Sequence, residues 1–380
     1  MDGTAGVRAS VDGRDALLFC SNDYLGLRGD PRLASAAYAA AQQWGSGAGS
    51  SRLIAGSLAV HLALEEALAD WMGTEAALVC SSGYQANLAL LQGISSPGDR
   101  ILSDALNHAS IIDGCRLSPA SVSVVRHGDA GALSQLLGGV PESNSAGAGE
   151  TFVVAEGLYS MDGDRGPLAD WAALSSQAGA HLLVDEAHAL GVLGPQGRGA
   201  SAEAGVERSC LARVGTFGKA LGSHGAFVAC SSGLRDLIVN SGRTYIFTTG
   251  LPPGCAGAAL AGLKIVRSDE GAGLMGRLAE LSRRLRNGLI ELGLDVLGDP
   301  DSPIVPVVVG SEADAMARYQ ALLERGIYAM AIRPPTVAPG TCRLRFTLSA
   351  EHCAADVDLV LAAMEGLLAD GKQGRGDDPQ

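Results

Sequence analysis

Seven short runs rich in Val, Leu and Ala recur along the first two thirds of the chain. They are AALVC (76–80), DRIL (99–102), SVSVVRH (121–127), TFVVAEG (151–157), HLLVDEA (181–187), ARVGTF (212–217) and GAFVACS (225–231). Most are apolar throughout, and helix-length stretches separate them. A strand that is apolar on both faces must be covered on both faces, and strands linked by helices run parallel. The pattern predicts an α/β fold with a mostly parallel sheet covered by helices, forming a large domain over 31–265 with a helix near 62–71.

From LPPG onward the spacing turns helical and predicts one long helix leaving that domain. Strands at 304–309, 328–332 and 343–348, a helix over 313–325 and a last helix from 354 then predict a small α+β domain over 266–369. Residues 1–30 read as a β-like N-terminal segment. GGVPESNSAGAGE (138–150) reads as a surface loop and 370–380 as a disordered tail.

The net charge of −13 argues against nucleic acid as a partner, so an anionic ligand needs locally placed N–H groups or cations. None of the eight cysteines forms a C-x-x-C pair, so buried thiols in a reducing cytoplasm are expected and no metal. No leader opens the chain and no apolar run is long enough for a bilayer, so no membrane partner is expected.

In TFGKALGSHG (216–225), Lys219 stands among glycines between two apolar runs. A Walker A loop fails, because Arg213 occupies the first glycine position and Ala220 the hydroxyl position. GRGASA (197–202) fits a dinucleotide fingerprint only formally, since no strand leads into it. Ser160, Asp185 and His188 follow the hydrolase order without the G-x-S-x-G elbow. A Schiff-base lysine for pyridoxal phosphate is the fourth reading. That cofactor needs an amine, a carboxylate at its ring nitrogen and a phosphate cradle. Asp185 ends an apolar strand at the edge where α/β ligands bind, although alone it reads better as a helix cap. CSSGYQAN gives a strand, a turn and a helix start, with the N–H groups of Gly83 and Tyr84 available to a phosphate.

SNDYLGL (21–27), SGYQAN (82–87), LNHAS (106–110), EGLYSMDGD (156–164), VDEAHALGVLGPQGRG (184–199), TFGKALGSHGA (216–226) and RPPTVAPGTCRLRFTLS (333–349) together resemble the α-oxoamine synthases. These are fold-type I pyridoxal-phosphate enzymes that join an amino acid to an acyl thioester with loss of CO2. The resemblance spans nearly the whole chain. Within the family it points to the branch that condenses L-alanine with pimeloyl-CoA or pimeloyl carrier protein in biotin synthesis, as a cytoplasmic homodimer. The glycine-using aminoketobutyrate ligases and a non-catalytic subunit of the same fold are the alternatives.

The resemblance implies that Lys219 forms the Schiff base and moves the α-proton. Asp185 pairs with the ring nitrogen, His188 with the ring oxygen, and His108 stacks on the ring. Ser160 and Thr216 contact the cofactor, the latter near its phosphate. Thr248 and Thr249 reach the phosphate of the other subunit. Asn22 and Tyr24 line the entrance, and Thr336 lies near the substrate. Arg345 grips the amino-acid carboxylate. Strand spacing alone leaves Arg343 and Arg345 equivalent, and the family pattern selects Arg345. The family's N-terminal helix, with its basic acyl-substrate contact, has no match before Asn22. Neither Arg8 nor Arg14 takes over that role.

Overall fold

The computed structural model of the protein describes residues 6–138 and 149–373. It opens on a hairpin of β1 (Arg8–Val11) and β2 (Arg14–Leu18). Asp12 and Gly13 form its two-residue turn, both at positive φ (50° and 76°), the geometry that matches the twist of paired strands. Helix α1 (Pro31–Trp44) follows, with proline in its first turn and the Asp30 carboxylate accepting from the Arg32 N–H; the sequence expectations contain no counterpart to it. Helix α2 (Ala59–Met72) ends at Gly73 in the left-handed conformation.

Strands and helices then alternate: β3 (Ala76–Cys80), α3 (Gly83–Ile94), β4 (Arg100–Asp104), α4 (Ala109–Leu117), β5 (Ser121–Val125) and α5 (Ala130–Leu137). After these come β6 (Thr151–Glu156), α6 (Leu168–Gln177), β7 (His181–Asp185), the single turn α7 (Ala200–Glu203), β8 (Cys210–Thr216) and β9 (Ala226–Cys230). Helices α8 (Ser232–Ser241), α9 (Arg243–Ile246), α10 (Pro253–Val266) and α11 (Asp269–Glu291) follow. The chain closes with β10 (Ile304–Gly310), α12 (Glu312–Glu324), β11 (Ile327–Tyr328), β12 (Met330–Ile332), β13 (Cys342–Thr347) and α13 (Ala354–Gln373).

The described residues fall into two compact units. The larger comprises Asp30–Tyr159 and Arg165–Ala272. Its seven-stranded sheet has the order β3-β9-β8-β7-β6-β4-β5. Only β9 runs antiparallel to its neighbours. β3, β6 and β9 are buried at every residue, which explains their unbroken apolar sequences. On one face Leu78, Ile101, Phe152, Leu183, Val214 and Val228 form a core with Ala86, Ala89 and Leu90 of α3, Ile111 of α4 and Ile238 of α8. Parallel pairing brings the carboxyl ends of β6, β7 and β8 together, with Glu156 in register with Asp185 and Asp185 with Val214.

Among the described residues, the smaller unit draws on 6–29, 160–164 and 273–373. The N-terminal residues therefore do not stand apart: β2 pairs in parallel with β11, Leu17 facing Ile327 and Leu18 facing Tyr328. A second three-stranded sheet has the order β10-β13-β12. The single strand expected over 328–332 is thus two, one for each sheet. The long helix expected after LPPG is also two. The chain breaks at Arg267 and Ser268, where the Ser268 hydroxyl accepts from the Gly271 N–H at 3.4 Å and starts α11. Helix α13 reaches Gln373, so 370–373 are helical; 374–380, and 139–148 of the expected loop, lie outside the described residues.

Candidate active site

A cavity of about 200 Å³ opens at the carboxyl edge of the larger unit's sheet. Gly83, Tyr84 and Asn87 of α3 line one side, and His108 and Ser110 another. Glu156, Asp185, Ala187 and His188 form the floor, and Thr216 and Lys219 close it. The structure therefore brings together seven of the residues singled out from sequence: Gly83, Tyr84, His108, Asp185, His188, Thr216 and Lys219.

Each position has a local cause. Ser82 caps α3, accepting from the Gln85 N–H at 3.2 Å. The N–H groups of Gly83 and Tyr84, in the first helical turn, have no intrahelical acceptor, and both residues line the cavity. Asp185 ends β7 and is 7 % exposed. Its Oδ1 accepts from the Ala187 N–H at 2.9 Å and its Oδ2 from Asn87 Nδ2 at 2.7 Å. These bonds meet the requirement that a buried carboxylate be hydrogen-bonded. His108 caps α4, with its Nδ1 accepting from the Ser110 N–H at 3.2 Å. Tyr84 stands edge-on to its ring at 6.3 Å. Thr216 Oγ1 donates to the Gly225 carbonyl at 3.0 Å, so its hydroxyl must turn before it can donate into the cavity. His188 is buried and Lys219 half-buried.

Burial pushes the His108 imidazole below its ordinary pKa, and the Lys219 ammonium adds to this while Asp185 opposes it. Glu156 is held well above the usual glutamate range, first by burial and then by the Asp185 charge beside it. Its Oε1 accepts from the His108 N–H. Sequence reasoning assigned no role to Glu156, Asn87 or Ser110, although all three sit inside quoted motifs. Their polar side chains at the ends of apolar strands or on an inward helix face were the available signal.

The remaining expected residues do not line this cavity. Thr249 is exposed; its carbonyl accepts from Ser81 Oγ at 3.1 Å, and Thr248 is half-buried beside it. In the smaller unit, Arg345 donates from Nε to the Ser160 carbonyl at 2.6 Å and from Nη2 to Asn22 Oδ1 at 3.4 Å. The Tyr24 hydroxyl also bonds it. These partners are neutral, and no acid pairs with Arg345 among the described residues. Burial accordingly lowers its pKa. Arg343, by contrast, is ion-paired with Asp162. One arginine of the pair is already satisfied and the other is a buried cation without a counter-charge. Thr336 donates its N–H to the Arg333 carbonyl at 3.0 Å in a turn.

A larger hollow of about 680 Å³ lies at the opposite edge of the sheet, where β7 and β8 begin. Its charged groups pair with one another, Arg198 with Glu207 at 3.0 Å and Arg213 with Glu207 at 3.5 Å. It holds no lysine and none of the expected site residues. The smaller cavity is the candidate site. Its donor set fits pyridoxal phosphate: N–H groups for the phosphate, an amine for the aldehyde, a carboxylate for the ring nitrogen and a flat imidazole for the ring face.

Comparison with known proteins agrees. The family model described as aminotransferase class I and II matches residues 14–364. The 8-amino-7-oxononanoate synthase of Geobacter metallireducens is 46% identical over 365 residues, 96% of this chain and 92% of that protein. That of Anaeromyxobacter dehalogenans is 47% identical over 95% of this chain and 88% of its own length. Among solved structures, Sphingomonas wittichii serine palmitoyltransferase superposes with a TM-score of 0.92 at 37% identity, over 96% of this chain and 90% of that one. An 8-amino-7-oxononanoate synthase from Francisella tularensis superposes with a TM-score of 0.79 at 28% identity, over 94% and 99%.

The state of Glu156 is testable. A group whose folded pKa is raised favours the fold below its unfolded pKa, and that advantage is lost as pH rises towards the folded value. Glu156→Gln keeps the acceptor for His108 and removes the titration. Urea unfolding from pH 4 to 9 is expected to show the variant gaining stability relative to the parent as pH rises above about 4.5, the ordinary glutamate value. Parallel pH profiles would contradict a neutral Glu156.

By its fold, by the family model and by these relatives, the chain belongs to the class I and II aminotransferase family and, within it, to the α-oxoamine synthases.

Proposed function

We propose that this protein is a pyridoxal-phosphate-dependent acyltransferase that condenses L-alanine with a pimeloyl thioester. The products are 8-amino-7-oxononanoate, CO2 and the free thiol, a step of biotin synthesis in the cytoplasm. The observation that carries the reading is the convergence of Lys219, Asp185, His188 and His108 on one cavity beside the α3 N-terminus. The choice of L-alanine and pimeloyl thioester is supported by the 44–47% identity to bacterial relatives named 8-amino-7-oxononanoate synthase over nearly the whole chain; the Francisella tularensis synthase, at 28%, lies below the serine palmitoyltransferases at 34–37%.

The cofactor, when bound, withdraws electrons from the substrate's α-carbon. The protein supplies the rest. Gly83 and Tyr84 bind the phosphate through their N–H groups. Lys219 holds the aldehyde and, once released, stands as the base for the α-proton. Asp185 keeps a proton on the ring nitrogen, and its bonds from Asn87 and Ala187 orient it for that. His188 bonds the ring oxygen and His108 covers the ring. Arg345 takes the amino-acid carboxylate, which gives the buried guanidinium its missing counter-charge. Ser160 and Asn22 hold that guanidinium, and Thr336 lies near the substrate.

A homodimer, with Thr248 and Thr249 serving the partner subunit's phosphate, is supported by an exposed apolar cluster beside them. Leu53, Ile54 and Phe247 are 46, 81 and 72 % exposed. The Ser51–Thr249 bridge sets their two segments side by side.

The direct assay is product mass from pimeloyl-CoA with L-alanine, glycine or L-serine in parallel. Alanine is expected to give the highest kcat/KM; preference for serine or glycine would overturn the substrate assignment. Arg345→Leu is expected to raise the alanine KM about 10- to 100-fold, as for loss of a charged bidentate contact. Arg343→Leu is expected to lower stability by about 2 kcal/mol, leaving Asp162 unpaired, with little effect on that KM. The reverse pattern would show that the strand presents the other arginine.

A further inference from the structure

Four side chains of the larger unit form one hydrogen-bonded line from Asp185 to His108. Asn87 Nδ2 lies 2.7 Å from Asp185 Oδ2 and 2.9 Å from Ser110 Oγ. Ser110 Oγ lies 2.8 Å from His108 Nδ1, and the Ser110 N–H donates to the same Nδ1 at 3.2 Å. Asn87 is 4 % exposed and Ser110 1 %, so neither can exchange these partners for water.

The direction of every proton in this line follows from its end. A carboxylate only accepts, so the amide group of Asn87 facing Asp185 is its NH2. Both hydrogens of that NH2 are then used, one on Asp185 and one on Ser110. Ser110 Oγ therefore accepts from Asn87 and has its own hydrogen left for His108. Nδ1 of His108 receives both that hydroxyl and the Ser110 N–H, so it carries no proton and the ring proton resides on Nε2.

We propose that Asn87 is a positioning residue that acts at both ends of the line. It holds the Asp185 carboxylate in place and, through Ser110, it holds His108 as the neutral imidazole protonated on Nε2. The groups facing His108 are Lys219 across the cavity, which favours the neutral ring, Asp185 on β7, which opposes it, Glu156 on β6 receiving its backbone N–H, and Tyr84 on α3 at its edge. The consequence rests on the cofactor reading above. A ring whose nitrogen is kept protonated by Asp185 is cationic there, and an imidazolium stacked on it would repel it. One asparagine thereby ties the charge on Asp185 to the absence of charge on His108.

The test is the 15N spectrum of the cofactor-loaded, full-length protein labelled at histidine, with His108 assigned by the signals lost in His108→Gln. The parent is expected to show His108 protonated on Nε2 alone at pH 7. In Ser110→Ala the hydroxyl donor is gone while the backbone N–H to Nδ1 remains; the His108 pKa is expected to rise by about one unit, with the neutral ring still protonated on Nε2. Asn87→Leu is expected to do the same and also to weaken cofactor binding about 10-fold, whereas Ser110→Ala leaves the Asn87–Asp185 bond and the affinity unchanged. Proton occupancy of Nδ1 in the neutral ring of the parent, or an unaltered His108 pKa in folded Ser110→Ala, would overturn the proposal. Should Asn87→Leu fail to fold, Ser110→Ala still decides it. Turnover does not enter these readouts, so a wrong substrate assignment would leave them standing.

Discussion

The larger unit is organised around a carboxyl group held almost out of water. Asp185 has a side chain at the end of a fully apolar strand, where an unpaired anion would cost several kcal/mol. The fold meets that cost with two short hydrogen bonds, from Ala187 in the following turn and from Asn87 on α3. Parallel pairing also sets Glu156 beside it, and two anions in register at that depth would repel. Burial and the neighbouring Asp185 charge accordingly push the Glu156 carboxyl well above the usual glutamate range.

The same economy appears in the smaller unit. Along β13, Arg343 and Arg345 sit two residues apart on one face, equally buried. Arg343 has Asp162 and a structural role, whereas Arg345 has only neutral oxygens. A buried guanidinium without an acid is a poor arrangement for stability and a good one for recognising a carboxylate from outside. The geometry thus separates two residues that strand periodicity makes equivalent.

The strands of the larger sheet were legible because burial on both faces leaves an unbroken apolar signature; Gly83, Tyr84, Asp185 and Lys219 were legible from their place at or after the ends of such runs, and His108, His188 and Thr216 only through the family resemblance. What depends on distant pairing was not. Tyr328 and Met330 read as one strand because nothing local tells that β11 adds to β2 and β12 to β13. The break between α10 and α11 did carry a local signal, a serine followed by two acidic residues, but the surrounding helical periodicity masked it. Asn87 and Ser110 looked like ordinary polar positions of amphipathic helices. Their role becomes visible only when folding brings β7 and two helices to the same point.

The central claim is that the carboxyl edge of the sheet delivers Lys219 to the aldehyde of pyridoxal phosphate. Borohydride reduction of the cofactor-loaded protein, followed by peptide mapping, tests it most directly, because reduction fixes the cofactor on whichever amine holds it. The account predicts a pyridoxyl group on Lys219 and its absence from Lys219→Ala. A pyridoxyl group on Lys264 or another lysine in the parent protein, with Lys219 unmodified, would contradict it.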